Sequence, residues 1–237
     1  MIVYDAHCHL EAVRQINSPR PLAVAAVNLQ DIIKLDKYRQ QNNLAKIGIG
    51  IHPWFIDPEV ELINYQQQLI AIIETYQPDF IGECGLDYNK PHFEYQQLLC
   101  ELHCKLAQHY QLPIIFHCVR AYNQLLQIIA RYPTLKGMLH GFNSNSEMAR
   151  QLTKKNISLG IGSLVTNPNT QIYKSVAKLP LEFILVESDS PFMPMTGQEY
   201  STPDDCLTYA TAIANQQQKT QQEITCRVNA NWIKLFS

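Results

Sequence analysis

Asp5-Ala6-His7-Cys8-His9 closes the first apolar run of this 237-residue chain. Side chains on a β-strand alternate between faces, so two histidines spaced i, i+2 point the same way. Neutral imidazole is the commonest metal ligand at physiological pH. A paired display at a strand end therefore predicts further ligands on other strands. The chain offers them in Gly50-Ile51-His52, Gly82-Glu83-Cys84, Phe116-His117, Leu139-His140 and Glu187-Ser188-Asp189.

Each of these residues sits where a short β-branched run gives way to a loop. Strands are predicted near Ile2–His7, Leu22–Asn28, Lys46–His52, Phe80–Glu83, Ile114–His117, Gly137–Gly141, Ile157–Ile161 and Phe183–Glu187. Helical patterns fall near Asp31–Asn42, Glu59–Tyr76, Phe93–Tyr110, Tyr122–Arg131, Ser146–Lys155, Asn169–Val176, Asp204–Asn215 and Gln222–Leu235. Alternation of this kind predicts parallel βαβ units, and α/β barrels of this length commonly form one domain, here 1–237. The clearest helix is Phe93–Tyr110, with Leu98, Leu99, Leu102, Leu106 and Tyr110 expected on one face. Only Leu10–Pro21 separates the first two strands, and Ser18-Pro19-Arg20-Pro21 breaks a helix there. The outer ring of helices is therefore expected to be incomplete near the N-terminus. Met193–Pro203 is a turn-rich loop placed to cover the strand ends.

Composition excludes several functions. A net charge of −2 with 17% charged residues gives no whole-molecule attraction to nucleic acid or to acidic membranes. No apolar stretch approaches the roughly 20 residues that span a bilayer. The chain enters a strand directly, without a signal-peptide core. Its seven cysteines lack disulfide-scaffold spacing, so a reducing, cytoplasmic address is expected, as a monomer.

In a parallel barrel the strand C-termini converge on one rim, where active sites of this architecture lie. His7, His9, Glu83, His117, His140 and Asp189 then form a set for two adjacent divalent cations, with Glu83 the bridge between ions roughly 3.5–4 Å apart. One strand-end histidine is ordinarily a hydrogen-bonded surface residue. Six matching positions on one edge are a different matter. His52 is expected to face the site, touching substrate or donating a hydrogen bond near it. Asp87 is expected to orient a ligand or the loop backbone. Trp54 and Tyr88 flank the rim and either stack on a ring or pack the loop onto the barrel. His92, His103 and His109 are read as ordinary surface or partly buried histidines. Cys8, Cys84 and Cys118 should face away from the ligands beside them, into packing beneath the helices, and Cys100 and Cys104 should lie in or near the core.

With these residues in place, the chain closely resembles the TatD-type metal-dependent hydrolases, relatives of the amidohydrolase superfamily. The resemblance runs through Asp5–His9, Gly50-Ile-His-Pro53, Gly82-Glu-Cys-Gly-Leu-Asp87, Pro113-Ile-Ile-Phe-His117, His140-Gly-Phe142, Glu187-Ser-Asp-Ser-Pro191 and the closing Asn231-Trp-Ile-Lys-Leu-Phe236. It implies a distorted TIM-type (β/α)8 barrel. It assigns His7, His9, Glu83 and Asp189 to one ion and Glu83, His117 and His140 to a second. The ions it implies are zinc, manganese or magnesium, and the activity a deoxyribonuclease of 3′–5′ exonuclease type with DNA or another phosphodiester as transient partner. Catalysis would rest on Glu83 and on Asp189, the latter taking the proton of the attacking water and passing it to the leaving group.

The chain also departs from the family pattern. Val119 stands where an arginine is usual, with Arg120 one place later, and the neutral-to-acidic Met195–Tyr200 replaces a basic loop. These changes bear on substrate recognition and spare the ligands. Phosphate contacts would fall to Arg120, Lys90 and Arg14. The alternative is an ester or amide hydrolase, deacylase-like, acting on a non-DNA substrate with the same activated water.

Overall fold

Eight strands pair in parallel and in sequence order: β1 (Asp5–His9), β2 (Leu22–Ala25), β3 (Ala45–Ile49), β4 (Phe80–Asp87), β5 (Ile114–Val119), β6 (Gly137–Leu139), β7 (Ile157–Ile161) and β8 (Ile184–Val186). They are seen in a computed structural model that describes residues 2–9 and 20–237. Helices α1 (Ile32–Gln41), α2 (Leu62–Tyr76), α3 (Phe93–Tyr110), α4 (Tyr122–Ile129), α5 (Ser146–Thr153) and α6 (Gln171–Ser175) link successive strands from β2 onward. Helices α7 (Cys206–Gln217) and α8 (Gln221–Phe236) follow β8. Every predicted strand and helix is present, with ends displaced by a few residues. The expected gap in the helical ring falls on Leu10–Pro21, and residues 10–19, Arg14 among them, lie outside the described residues. No helix among the described residues is long and apolar enough to cross a membrane.

The ring closes just past β8. Asp189 N donates to His7 O at 2.9 Å, and His9 N donates to Ser190 O at 2.8 Å. Closure therefore sets Asp189 between the two histidines of β1.

The barrel interior has an apolar lower layer. Ala6, Ala23, Phe80, Ile115, Met138 and Leu185 meet there with Trp232, Leu235 and Phe236 from the end of α8. Small residues on β1 to β3 make room for the Phe80 ring: a Cβ on Gly48 would lie 1.9 Å from it. Trp232 Nε1 donates to Asp5 O at 3.1 Å, which fastens the α8 plug to β1. The outer strand faces pack under the helices, and Cys8, Cys84, Cys100 and Cys104 belong to that layer, as expected. On α3, Leu99, Leu102 and Leu106 are buried, but Leu98 is 49% exposed. The buried stripe of α3 runs through Gln96, Leu99, Cys100, His103 and Ala107, and Leu98 lies on the side away from it.

Two slips in strand register aim the site. Phe80 points into the barrel and Ile81 outward, so strict alternation would send Glu83 outward as well. Pairing of β4 with β5 shifts between Ile81 and Cys84, and this irregularity turns Glu83 inward and Cys84 into the outer core. Pairing of β1 with β2 shifts in the same way between Asp5 and Cys8. Ala6 and His7 can then both face the interior.

Candidate metal centre

One layer above the plug, the side chains converge on Glu83. Its Oε2 lies 3.2 Å from His7 Nε2 and 3.5 Å from His9 Nε2. Its Oε1 lies 2.9 Å from His140 Nε2, 3.0 Å from His117 Nδ1 and 3.3 Å from His52 Nε2. Asp189 Oδ1 approaches His9 Nε2 at 3.1 Å and His7 Nε2 at 3.4 Å. The six residues predicted as ligands are thus brought together from β1, β4, β5, the end of β6 and the turn after β8. Asp189 holds φ at +52°, a left-handed conformation uncommon outside glycine and most tolerated by Asn and Asp.

Electrostatics follow from burial among opposite charges. Burial opposes the charge on Glu83, but His140, His52 and His7 hold its carboxyl well below the usual range. Burial also opposes the charge on Asp189, and the close approach of His7 and His9 pulls it below the ordinary carboxylate range. Burial disfavours a charged His7, yet Glu83 and Asp189 draw it well above 6.5. His52 and His140 move the other way, because burial outweighs the pull of Glu83.

The donor set fits divalent cations. His7 Nδ1 and Nε2, His9 Nδ1, His117 Nε2 and His140 Nδ1 are buried without a hydrogen-bond partner. His7 Nε2 lies close to two carboxylate oxygens yet is not aligned to donate to either, which is how ligands around a cation are arranged. Three groups each bring candidate ligand atoms within 4.8 Å of one another: His7, His140 and Asp189; His7, His9 and Glu83; His52, Glu83 and His117. Imidazole-rich donors with carboxylates suit zinc and its transition-metal neighbours better than magnesium.

The surroundings correct the expectation for the strand through His52 and give its neighbours their places. The strand predicted through His52 stops at Ile49, and His52 instead caps the short 3-10 turn Pro53–Phe55. Asp87 Oδ2 lies 3.8 Å from His117 Nε2 and accepts from Trp54 Nε1 at 2.7 Å. Trp54 remains half exposed, with the Lys90 ammonium 4.1 Å from its ring centroid. Phe192, also exposed, packs edge-on against His9 from the opposite side. Arg120 lies on the surface, 3.4 Å from Asn89 Oδ1, and reaches none of the ligands.

His103 is not an ordinary surface histidine. It is fully buried, with Nδ1 on Leu99 O at 2.6 Å and Nε2 accepting from Ile51 N at 3.1 Å. A period read along one helix carries no information about the loop packed upon it, so nothing in the sequence marked this bond.

Two buried carboxylates also escaped notice as individuals. Asp5 accepts from Ser188 N at 2.9 Å and Ser188 Oγ at 2.5 Å, stapling β1 to the segment that carries Asp189. Glu187 Oε1 accepts from Gly141 N at 2.5 Å, and burial pushes this carboxyl up to about 8.

The family model described as TatD related DNase matches residues 4–237. The chain belongs to that family. Its relatives include the uncharacterized metal-dependent hydrolase YjjV of Escherichia coli K12, 28% identical over 196 residues, 80% of this chain and 76% of that one. A second, YabD of Bacillus subtilis, also an uncharacterized metal-dependent hydrolase, is 26% identical over 259 residues, 99% of each chain. The crystal structure of YjjV superposes with a TM-score of 0.88 at 25% identity, over 99% of this chain and 97% of that one. As a TatD-family member this protein is a metal-dependent hydrolase with the TIM-barrel architecture that the resemblance implied.

Proposed function

We propose that the protein is a deoxyribonuclease that shortens single-stranded DNA from its 3′ end, with two divalent cations in the centre around Glu83. One observation carries the reading: the two carboxylate oxygens of Glu83 face different histidines, Oε2 meeting His7 and His9, and Oε1 meeting His117 and His140 with His52 beside them. In this reading His7, His9, Glu83 and Asp189 hold one ion, and Glu83, His117 and His140 hold the other. Divalent cations so placed neutralise charge on a phosphoryl oxygen and lower the pKa of coordinated water.

The protein's own groups do the rest. Asp189 has the more accessible of the two central carboxyls, its side chain 12% exposed against 2% for Glu83. Kept anionic by His7 and His9, it accepts the proton of the attacking water and returns it to the leaving oxygen. Arg120 and Lys90 are the nearby cations for phosphate, and the exposed rings of Trp54, Tyr88 and Phe192 offer sequence-tolerant surfaces for bases.

The test is cleavage of 5′- and 3′-labelled single-stranded DNA by metal-stripped protein, with manganese, magnesium or zinc restored and Asp189→Asn run alongside. Stepwise loss from the 3′ end by wild type alone is the expected result. Inert DNA in the presence of metal-loaded protein would overturn the nuclease reading and transfer it to esters or amides.

A further inference from the structure

His52 occupies a place suited to a ligand on the His117 side of Glu83. Its Nε2 lies 3.3 Å from Glu83 Oε1, and its ring meets that of His117 edge-on with centroids 4.4 Å apart. The other ring nitrogen decides what it can do. His52 Nδ1 accepts the backbone N–H of Trp54 at 3.1 Å. A neutral imidazole that accepts at one nitrogen carries its proton on the other. Turning the ring over would set carbon against that N–H and leave a donor unpaired. Nε2 therefore bears the hydrogen, and a protonated ring nitrogen has no lone pair for a cation. His140 is different: its Nδ1 faces the Glu187 carboxyl, 3.8 Å from Oε1, and can hold the proton there, leaving Nε2 bare where it faces Glu83 Oε1 at 2.9 Å.

We propose that His52 is not a metal ligand but a hydrogen-bond donor of fixed tautomer, its Nε2–H directed at the substrate oxygen that reacts beside Glu83. The segment around it is built to hold that ring still. His52 N donates to Val27 O at 3.2 Å, Ile51 N is held by His103 Nε2 at 3.1 Å, and the Trp54 indole is tied to Asp87 at 2.7 Å. A donor fixed in advance costs no reorganisation when charge develops, and removal of one such donor lowers kcat by about 10²–10³-fold. The substrate half of this proposal rests on the hydrolase chemistry above; the tautomer does not.

The test therefore begins without substrate. Two-bond 1H–15N correlation on protein labelled at histidine reads the tautomer of each ring, with His52→Phe identifying the His52 signals. The expected result is a proton on Nε2 in both metal-free and zinc-loaded protein, and equal zinc per chain in wild type, His52→Phe and His52→Gln. Loss of the Nε2 proton on zinc loading, or one equivalent of zinc missing from either variant, would make His52 a ligand and overturn the proposal. On DNA, kcat should fall about 100–1,000-fold in His52→Phe and less in His52→Gln, whose amide still donates. Wild-type-like kcat in His52→Phe would also overturn it. DNA left uncut by wild type would refute the nuclease reading alone, since tautomer and zinc content still judge His52.

Discussion

Acidification should loosen this protein through a residue that is not at the metal centre. His103 uses both ring nitrogens as one neutral tautomer: Nδ1–H donates to Leu99 O, and Nε2 accepts from Ile51 N. Protonating Nε2 would set two donors against each other in a fully buried position. Burial accordingly pushes His103 down from 6.5 to about 4. Between those values the unfolded chain binds the proton and the folded chain does not, so stability falls as pH drops from 6.5 toward 4. At 1.36 kcal/mol per pKa unit the full loss is about 3 kcal/mol, with about 2 kcal/mol of it already gone at pH 5. In a protein of this size that corresponds to roughly 4–8 °C in Tm. The assay is Tm or urea unfolding at pH 7 and pH 5 for wild type and His103→Gln, which removes the titrating group. Both proteins carry the same metal centre, so the difference between their pH dependences isolates His103. The variant should lose less stability on acidification. Parallel curves would refute the neutral, doubly bonded histidine and with it the anchor on Ile51.

Other perturbations separate the parts of the site. Asp189→Asn should keep its far-UV circular dichroism and most of its Tm while losing most turnover; wild-type-like rates would remove Asp189 from proton transfer. Glu83→Gln should cut metal content on both sides of the centre, read by elemental analysis after gel filtration; full occupancy would contradict a shared carboxylate. Gly160→Ala would place a Cβ 2.2 Å from Glu187 Oε2 and 3.0 Å from His140 Cα, so Tm should fall by the equivalent of about 1–3 kcal/mol and metal affinity should weaken. If Arg120 and Lys90 are the two phosphate contacts, single-stranded DNA affinity should show a log–log salt slope of about −1.4, shallower by about 0.7 in Arg120→Ala. A steep slope would mean that other cations bind the strand.

Much of the architecture was legible because it rests on local period and order. Eight apolar runs separated by amphipathic segments leave few parallel arrangements, and each candidate ligand stood at the C-terminal end of a run. The spacing of His7 and His9 correctly predicts a shared face. The same logic fails for Glu83, whose inward direction depends on a slip in β4–β5 pairing that belongs to two strands together. It fails for Leu98 because the buried stripe of α3 includes polar Gln96 and His103, which an apolar count passes over, and for His52 because a side-chain cap on Trp54 N, not a strand, fixes its ring. His103, Asp5 and Glu187 were invisible as individuals because their partners lie 52, 183 and 46 residues away.

The buried carboxylates together explain why the centre needs cations. Asp5, Glu83, Asp87, Glu187 and Asp189 are all 9% exposed or less, and no lysine or arginine among the described residues is buried with them. A buried charge without a partner costs several kcal/mol, so an apolar barrel cannot carry five bare carboxylates. Part of the charge is removed at source, since burial pushes Glu187 up to about 8, and Asp5, raised to about 6, is satisfied by hydrogen bonds from Ser188. Asp87 is tied to the Trp54 indole, while Glu83 and Asp189, at the centre, are held anionic among imidazoles. Imidazoles can balance those two either by taking up protons themselves or by sharing divalent cations with them as ligands. The first route places positive charge on rings packed against one another, His7 and His140 with centroids 4.4 Å apart and His117 and His140 at 5.2 Å. The second leaves the rings neutral and puts the positive charge between the carboxylates. Metal dependence is thus written into the charge balance of the layer as well as into the identity of its ligands.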